Sequence, residues 1–286
     1  MNIFDNHLKE IKNIILSNKK LLKLENTEIL KNATALRKQI VKQEFCFPTL
    51  STNTEVIRLN TGEDLQDALE SIYSNEGVNS TIVLCRSNKR ANLYNQQIRA
   101  KIRWQEDEIS AGDLLIVVRN NYYWMEQEDM PDFIANGDSV EVVKIKEHIN
   151  RYGFHFAKGT IKLVDENVNL QLDVILLLDT LTSNNASLTN EQYRKLYDEI
   201  CLDYKGEKEI NQKVKNNPFY NALYVKFAYA ITCHKSQGGQ WDNVFVDLGY
   251  FTDGMLDKAY FRWLYTAVTR ASKKLYLINF KDEFFY

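Results

Sequence analysis

The chain has 286 residues, of which 44% are hydrophobic and 26% charged, a balance that is typical of a folded protein and argues against extensive disorder. A net charge of −2 at pH 7 argues against a uniformly basic coating protein, so any nucleic-acid contact must come from a local patch. The longest apolar run, Val174–Leu178, is far shorter than a membrane span, and no signal sequence opens the chain. We therefore expect a soluble, cytoplasmic protein without a membrane partner.

The cysteines do not form a recognisable pattern. Cys46, Cys85, Cys201 and Cys233 include no C-x-x-C pair, and no histidine completes a zinc-ligand spacing. The sequence predicts free thiols in a reducing cytosol and no metal site.

The first part of the chain is predicted to be helical. Apolar residues recur at helical spacing over Asn6–Gln43, which predicts two amphipathic helices. EVIRLN (Glu55–Asn60) predicts a short strand. A further helix is predicted over Gly62–Tyr73, with Thr61 as its N-cap.

A buried strand, a polar turn and a helix follow. STIVLC (Ser80–Cys85) is continuously apolar, and Lys89–Arg103 has helical periodicity. This is the repeating unit of a doubly wound α/β sheet, in which ligands gather at the carboxyl ends of the strands. Arg86, Ser87 and Asn88 are therefore candidates for contact with a nucleotide or with DNA, although a solvated loop would have the same composition.

Between about residues 105 and 216 the pattern changes to short alternating runs separated by turns, which predicts a small antiparallel barrel. The predicted strands are Asp113–Arg119, Ser139–Lys146, Gly159–Val164 and Asn169–Leu178, with a helix over Asn190–Tyr204 after them. Beyond Pro218 the pattern favours a parallel sheet again, with strands over Tyr224–Ile231, Val244–Leu248 and Lys274–Phe280.

Aromatic residues are concentrated in the predicted barrel region, at Tyr122, Tyr123, Trp124 and Phe133. They either stack against bases, as in proteins that bind single strands, or fill the barrel core. The sequence favours the core without excluding stacking. Trp241 is expected to be packed rather than functional.

The last candidate site is a polar turn after the Tyr224–Ile231 strand. It carries the polar side chains of Thr232, His234, Lys235, Ser236 and Gln237 and ends on Gly238 and Gly239. Hydroxyl, imidazole and ammonium groups beside backbone N–H groups suit the phosphate oxygens of a nucleic acid. A solvated turn is the alternative. About twenty residues later a predicted helix ends at Arg270, which is either a functional arginine or a cation favoured by the helix dipole.

Three of these segments resemble motifs of superfamily 1 helicases, most closely the RecD-like branch. Ile231–Asp247 resembles motif V, Arg262–Arg270 resembles motif VI, and Cys85–Arg99 resembles motif IV. GDLLIVVRNNYYW (Gly112–Trp124) and FIANGDSVEVV (Phe133–Val143) are similar to the opening strands of an SH3-like barrel in that branch. The chain thus looks like the C-terminal half of such a helicase, with a UvrD/RecD-type C-terminal domain.

The resemblance implies an α/β fold with a RecA-like parallel sheet of the P-loop NTPase type. This sheet would be formed by residues 44–104 and 217–286, with the SH3-like barrel at 105–216 and a helical lead-in at 1–43. The residues implied at ATP are Gln237, Gly238, Arg86 and Arg270, with Gln237 and Arg270 catalytic and Arg270 the arginine finger. Those implied on single-stranded DNA are Thr232, His234, Lys235, Ser236, Ser87 and Asn88.

One part of a helicase motor is missing from the sequence. None of the eleven glycines is followed by Lys and then by Ser or Thr, so there is no Walker A loop to hold the phosphates. Two runs that end at Asp165–Glu166 and at Asp179 mimic a Walker B strand but lie in the predicted barrel. We expect ATP and Mg²⁺ to bind only with a first RecA domain supplied in cis or in trans.

Alone, the chain is expected to be inactive as an ATPase. It would be a fragment, a split subunit or a degenerate remnant of a helicase. The alternatives are a non-enzymatic module that binds single-stranded nucleic acid and a domain that binds proteins through its barrel.

Overall fold

The structure is a computed structural model that describes residues 27–125, 133–164 and 170–285. The first predicted amphipathic helix and the acidic pair Asp165–Glu166 lie outside the described residues. In the part of the chain that is described, no helix combines the length and the apolar character needed to cross a bilayer.

The predicted elements within the described residues occur in the predicted order. Two strands, Ser139–Arg151 and Phe154–Leu163, are longer than predicted, and two short helices, Asp179–Thr182 and Ile210–Lys215, are additional. The helices are α1 (Glu28–Lys42), α2 (Gly62–Glu76), α3 (Asn88–Gln97), α4 (Asp179–Thr182), α5 (Asn190–Asp203), α6 (Ile210–Lys215) and α7 (Lys258–Val268). The strands are β1 (Val56–Leu59), β2 (Thr81–Cys85), β3 (Leu114–Val117), β4 (Ser139–Arg151), β5 (Phe154–Leu163), β6 (Gln171–Leu177), β7 (Leu223–Phe227), β8 (Ala230–Thr232), β9 (Trp241–Asp247) and β10 (Ala271–Ile278).

The predicted helix start at Thr61 is confirmed by its capping contacts. The Thr61 hydroxyl accepts a hydrogen bond from the Asp64 amide at 3.0 Å, and the Asp64 carboxylate accepts one from the Thr61 amide at 3.0 Å. This capping box satisfies two N–H groups that a helix start leaves without partners. It also holds the pKa of Asp64 below its usual value, because both partners favour the carboxylate.

The described chain divides into two compact units. One comprises the residues up to Leu84 together with those from Ser236 onward, and the other is Cys85–Lys235. This division differs from the predicted one, which begins the inserted region near residue 105 and ends it at 216. The later end arises because β7 belongs with the barrel strands, and α3 falls in the same unit because its Asn95 is hydrogen-bonded to Phe227 and Ala230.

The first unit contains the predicted parallel sheet, with four strands in the order β1, β10, β9, β2. Each neighbouring pair is parallel, as in the register Val56 to Leu275, Leu275 to Val244 and Ile82 to Val244. In the middle of the sheet the rings of Phe245 and Tyr276 stack with their centroids 4.2 Å apart. The continuous apolar runs predicted this arrangement, since strands buried on both faces lose the alternation of polar and apolar residues.

The second unit contains a closed barrel of strands β3 to β7. β3 pairs antiparallel with β4 and β7, whereas β6 and β7 pair in parallel. Glycine is required at position 159, where β5 pairs with an irregular part of β4, because a Cβ there would lie 2.6 Å from the Lys144 carbonyl oxygen. The predicted barrel is therefore present.

One predicted strand is divided in the structure. The apolar run Tyr224–Ile231 forms β7 and the short β8, and β7 closes the barrel by pairing Phe227 with Leu115 and Tyr224 with Leu177. A short, wholly apolar run carries no periodicity that would assign it to one sheet rather than another.

A buried ion pair in the second unit was not predicted. Arg99 donates to both carboxylate oxygens of Asp113, at 3.0 and 2.9 Å, and the Tyr229 hydroxyl donates to the same carboxylate at 2.8 Å. The Arg99 guanidinium also lies 4.4 Å from the centre of the Phe227 ring. These contacts fix the chain on both sides of the connection between β7 and β8.

Candidate functional site

The connection between β7 and β8, which leads into the polar turn, is held in place by a buried asparagine. The Asn95 amide nitrogen donates to the carbonyls of Phe227 and Ala230, at 3.2 and 2.9 Å, and its oxygen accepts from the Ala230 amide at 2.7 Å. Three polar backbone groups of the connection are thus satisfied by one side chain of α3. Sequence reasoning missed Asn95, although its place in the motif IV segment was visible.

Lys235 has an unusual environment within this turn. Its ammonium group is buried and forms no hydrogen bond to any residue that the structure describes. Burial lowers the pKa of Lys235, because a charged amine is disfavoured where water is excluded. A buried donor without a partner is costly, so an anion that reached this group would be bound favourably.

A second lysine, Lys226 on β7, precedes Lys235 in the sequence and is affected by the charge of Lys235. Its side chain is only 4% exposed, and its ammonium donates to the carbonyls of Thr180 and Ser183 at 3.0 and 2.6 Å. Burial, followed by the positive charge of Lys235, lowers the pKa of Lys226 to about 8. Among the described residues no carboxylate pairs with either lysine. Sequence reasoning missed Lys226, although a single Lys inside an apolar strand was the available signal.

The other predicted DNA-contacting residues of the turn differ in exposure. His234 is exposed, Thr232 is half-buried and Ser236 is fully buried. Cys233–Ser236 forms a single short helical turn, and the Gly239 amide donates to the Ser236 carbonyl at 3.1 Å. Lys235 is therefore the cation of this turn with a buried ammonium, and His234 is its solvent-facing imidazole.

In the first unit the structure brings Arg270 together with the glycines that end the turn. Arg270 follows α7, and its Nη1 donates to the Gly239 carbonyl at 3.0 Å. Its Nε and Nη2 donate to the Thr266 carbonyl and the Thr269 hydroxyl, at 3.2 and 3.3 Å. The Trp241 amide in turn donates to the Arg270 carbonyl at 3.0 Å, which joins the starts of β9 and β10.

Gly238 and Gly239 are needed for different reasons. Gly238 has a φ of 84°, in the left-handed region that side-chain-bearing residues rarely adopt, and nothing lies within 4 Å of where its Cβ would be. Gly239 lies against Trp241, whose ring would be 2.4 Å from a Cβ. Gln237 beside them is exposed. Trp241 is therefore packed, as the sequence suggested.

The three predicted residues after β2 lie at the start of α3. The Ser87 hydroxyl accepts from the Arg90 amide at 3.2 Å and so caps the helix. Arg86 is exposed and Asn88 is half-buried as the first residue of α3. The Ser87 side chain thus has a structural role that would compete with contact to DNA.

Comparison with known proteins finds one family model that part of this region matches. Residues 227–278 match the UvrD-like helicase C-terminal domain. This segment contains the polar turn, β9, α7 and Arg270. It therefore carries the sequence pattern of a helicase C-terminal domain.

A curated relative is an uncharacterized protein, MJ1519, of Methanocaldococcus jannaschii. It is 44% identical over an alignment of 185 residues that covers 53% of this chain and 16% of the relative. The chain thus spans about a sixth of the length of the curated relative that it matches.

Solved structures of Pif1 helicases are also similar. The crystal structure of Pif1 helicase from Candida albicans has a TM-score of 0.41 at 14% identity, covering 79% of this chain and 51% of that one. Pif1 helicase from Bacteroides, in complex with ADP-AlF3 and ssDNA, has a TM-score of 0.45 at 13% identity, covering 91% of this chain and 51% of that one.

Proposed function

We propose that this chain is the C-terminal portion of an ATP-dependent, RecD-like superfamily 1 DNA helicase. Its parallel sheet would be the second RecA-like motor domain, and its barrel would be the inserted SH3-like domain. The observation that carries the proposal is the helicase match over 227–278, within which Arg270 is hydrogen-bonded to Gly239 at the end of the polar turn.

Arg270 is suited to the role of arginine finger. A guanidinium has five N–H donors, and Arg270 uses one on each of its three nitrogens within the chain. Two donors remain for an oxygen of a transferring phosphoryl group, while the other three fix the side chain beside Gln237 and Gly238. Charge builds on the phosphoryl oxygens in the transition state, and a guanidinium there accelerates the reaction by roughly 10³ to 10⁵.

The same proposal assigns the turn to the path of single-stranded DNA. Lys235 would contact a backbone phosphate, with Thr232, His234 and Ser236 beside it and with Ser87 and Asn88 as further contacts. The buried ammonium of Lys235, without a partner among the described residues, supports this assignment because a phosphate would satisfy it. Lys226 adds positive charge behind the site.

ATP hydrolysis would need the Walker A loop and the magnesium ligands of a first RecA domain, because this sequence contains no G-x-x-x-x-G-K-[ST] segment. ATP with Mg²⁺ would then lie between that domain and Arg270. The first domain would come from the same longer protein or from a separate one.

The test is an ATPase assay with and without a Walker A domain from a related helicase. We expect no hydrolysis by the chain alone, hydrolysis on addition of the domain, and a loss of about 10³-fold or more with Arg270→Ala. Arg262→Ala, an exposed arginine of the same helix, is the matched control and should keep full activity. Robust hydrolysis by the chain alone, or an active Arg270→Ala variant, would contradict the proposal.

A second candidate is a non-enzymatic module that binds single-stranded nucleic acid. It is favoured by one observation: the two lysines that would attract a phosphate lie within one compact unit of this chain, whereas the phosphate-binding loop of an ATPase does not occur in it. This module would bind single-stranded DNA by itself and would gain no ATPase activity from an added Walker A domain.

A further inference from the structure

The second unit contains a cavity of about 760 Å³ at one end of the barrel, and its lining shares no residue with the polar turn at 232–239. It is lined by residues 118–123, which follow β3, by Asn136, and by residues before and at the start of β7. The side chains that matter here are those of Arg119, Asn120, Tyr122, Asn136, Tyr220 and Tyr224. Its volume lies in the range of small-molecule binding sites, about 300 to 1,000 Å³.

Arg119 gives this cavity a positive charge that is held by aromatic rings. Its guanidinium lies 4.8 Å from the centre of the Tyr193 ring and 5.3 Å from that of Tyr224, and it donates to the Tyr193 hydroxyl at 3.4 Å. The Tyr193 hydroxyl is in turn hydrogen-bonded to that of Tyr220. No carboxylate among the described residues pairs with Arg119. The rings orient the cation without neutralising it.

Tyr224, which lies beside Arg119, has a hydroxyl that lacks an acceptor among the described residues. Its side chain is 3% exposed, and its hydroxyl is buried without a hydrogen bond of good geometry to any described residue. Burial raises the pKa of Tyr224 to about 12, and the charge of Arg119 opposes this rise. The hydroxyl therefore stays protonated at neutral pH and is available as a donor.

The remaining walls suit a flat ring with polar edges. Tyr122 is 64% exposed, and its ring packs on that of Phe133 with centroids 4.9 Å apart. The sequence favoured packing of these rings in the barrel core. Neither ring is buried there. The Asn120 side-chain oxygen accepts a hydrogen bond from the Asn136 backbone amide at 2.8 Å, so its side-chain nitrogen remains as a donor.

We propose that this cavity binds a nucleotide, with its phosphate on Arg119 and its base against the tyrosine rings. A phosphate supplies the counter-charge that Arg119 lacks among the described residues, stacking on an aromatic ring contributes to binding of any base, and asparagine amides complement base edges. A neutral apolar ligand would give Arg119 no counter-charge and the Tyr224 hydroxyl no hydrogen-bond acceptor. The site contains neither Arg270 nor Lys235 and does not depend on the proposed helicase function.

Two sources of the nucleotide are distinguished by two photo-crosslinking probes. One is 4-thiothymidine monophosphate, and the other is an octamer of thymidine nucleotides that carries one 4-thiothymidine. We expect crosslinks in peptides that contain residues 118–124 or 220–224, located by mass spectrometry. Crosslinking by both probes, or by the monophosphate alone, supports a site for free nucleotides, and crosslinking by the octamer alone supports a site for a single strand.

Variants link the crosslinks to the named groups. Arg119→Gln should weaken probe binding at these peptides about tenfold, because one charge-assisted contact is lost. Arg194→Gln is the matched control, since Arg194 is an exposed arginine of the same unit that does not line the cavity. Tyr224→Phe keeps the ring and removes only the hydroxyl, so it should weaken binding without unfolding the protein.

The proposal is overturned if neither probe crosslinks to these peptides, or if Arg119→Gln and Arg194→Gln behave alike. Crosslinks confined to residues 232–239 would also overturn it, while leaving the DNA-track assignment intact. Conversely, crosslinks at the cavity that persist when Lys235→Gln abolishes those at the turn would support the cavity on its own.

Discussion

At the scale of single residues, Lys235 has an environment that favours binding of an anion. Its ammonium is buried without a partner among the described residues, and its neighbour Lys226 is positive as well. A cation in this position gains more from a phosphate than an exposed lysine does, because water screens it less. Binding of single-stranded DNA should therefore depend on Lys235 more than on lysines of the surface.

We predict that Lys235→Gln weakens binding of a single-stranded oligonucleotide and reduces the slope of log affinity against log salt by roughly 0.7, the value for one lost phosphate contact. Fluorescence anisotropy over a salt series measures both quantities. Lys208→Gln, at an exposed position of the same unit, should leave the slope unchanged. An unchanged slope for Lys235→Gln would remove this residue from the DNA track.

Lys226 allows a prediction about pH. Its pKa is about 8 in the folded protein, below the ordinary value of 10.5. Between these two pH values the unfolded chain holds a proton that the folded chain has released, so the free energy of unfolding rises with pH. Below pH 8 the folded state carries the buried charge and its full cost.

Lys226→Met should flatten this dependence between pH 7.5 and 9.5, because the group that titrates is gone. Urea denaturation at the two pH values measures the change, with Lys208→Met as the control that keeps the wild-type slope. Parallel pH profiles for the wild type and Lys226→Met would show that the burial of this lysine has no energetic consequence.

At the scale of elements, the turn that enters β9 is shaped by the packing of Trp241 on Gly239. We predict that Gly239→Ala lowers the free energy of unfolding by about 1–3 kcal/mol, because the Trp241 ring must move away from the new methyl group. Gly254→Ala is the control, since nothing lies within 4 Å of that Cβ and its φ is not positive. Denaturation curves compare the two variants.

A double variant identifies the cause. If the ring is responsible, Gly239→Ala combined with Trp241→Leu should cost less than the sum of the two single changes. Additive costs would point instead to the backbone of the turn. Because the Gly239 carbonyl accepts the bond from Arg270, Gly239→Ala should also loosen the arginine.

Elements were predicted well where a single local signal decides them. The capping residue Thr61 and the continuous run of β2 correctly gave a helix start and a buried strand. The partner of β7 was not predicted, because pairing with β3 and β6 depends on contacts more than forty residues away in sequence. Likewise the sequence signals at Asn95 and Lys226 did not reveal their partners, which are backbone carbonyls that only the fold brings next to them.

At the scale of the whole molecule, the sequence of one unit is inserted into the sequence of the other. Strand β2 precedes the inserted unit and β9 follows it, yet the two pair directly in the sheet, with Thr81 opposite Asn243. Each unit has its own core, so damage to one core need not be transmitted in full to the other. The Arg99–Asp113 ion pair, which is wholly internal to the inserted unit, is suited to testing this independence.

We predict that Asp113→Asn destabilises the inserted unit selectively. The substitution leaves the buried Arg99 without a compensating charge, which costs about 3 kcal/mol, and weakens the acceptor of the Tyr229 hydroxyl. Hydrogen exchange should accelerate in β3 and β7 while protection of β9 and β10 is kept. Asp203→Asn is the matched control, because its ion pair with Arg151 is exposed and contributes at most about 1 kcal/mol. Equal acceleration of exchange in the barrel strands and in β9 and β10 would mean that the two units unfold as one cooperative body. The position of Arg270 would then depend on the stability of the barrel.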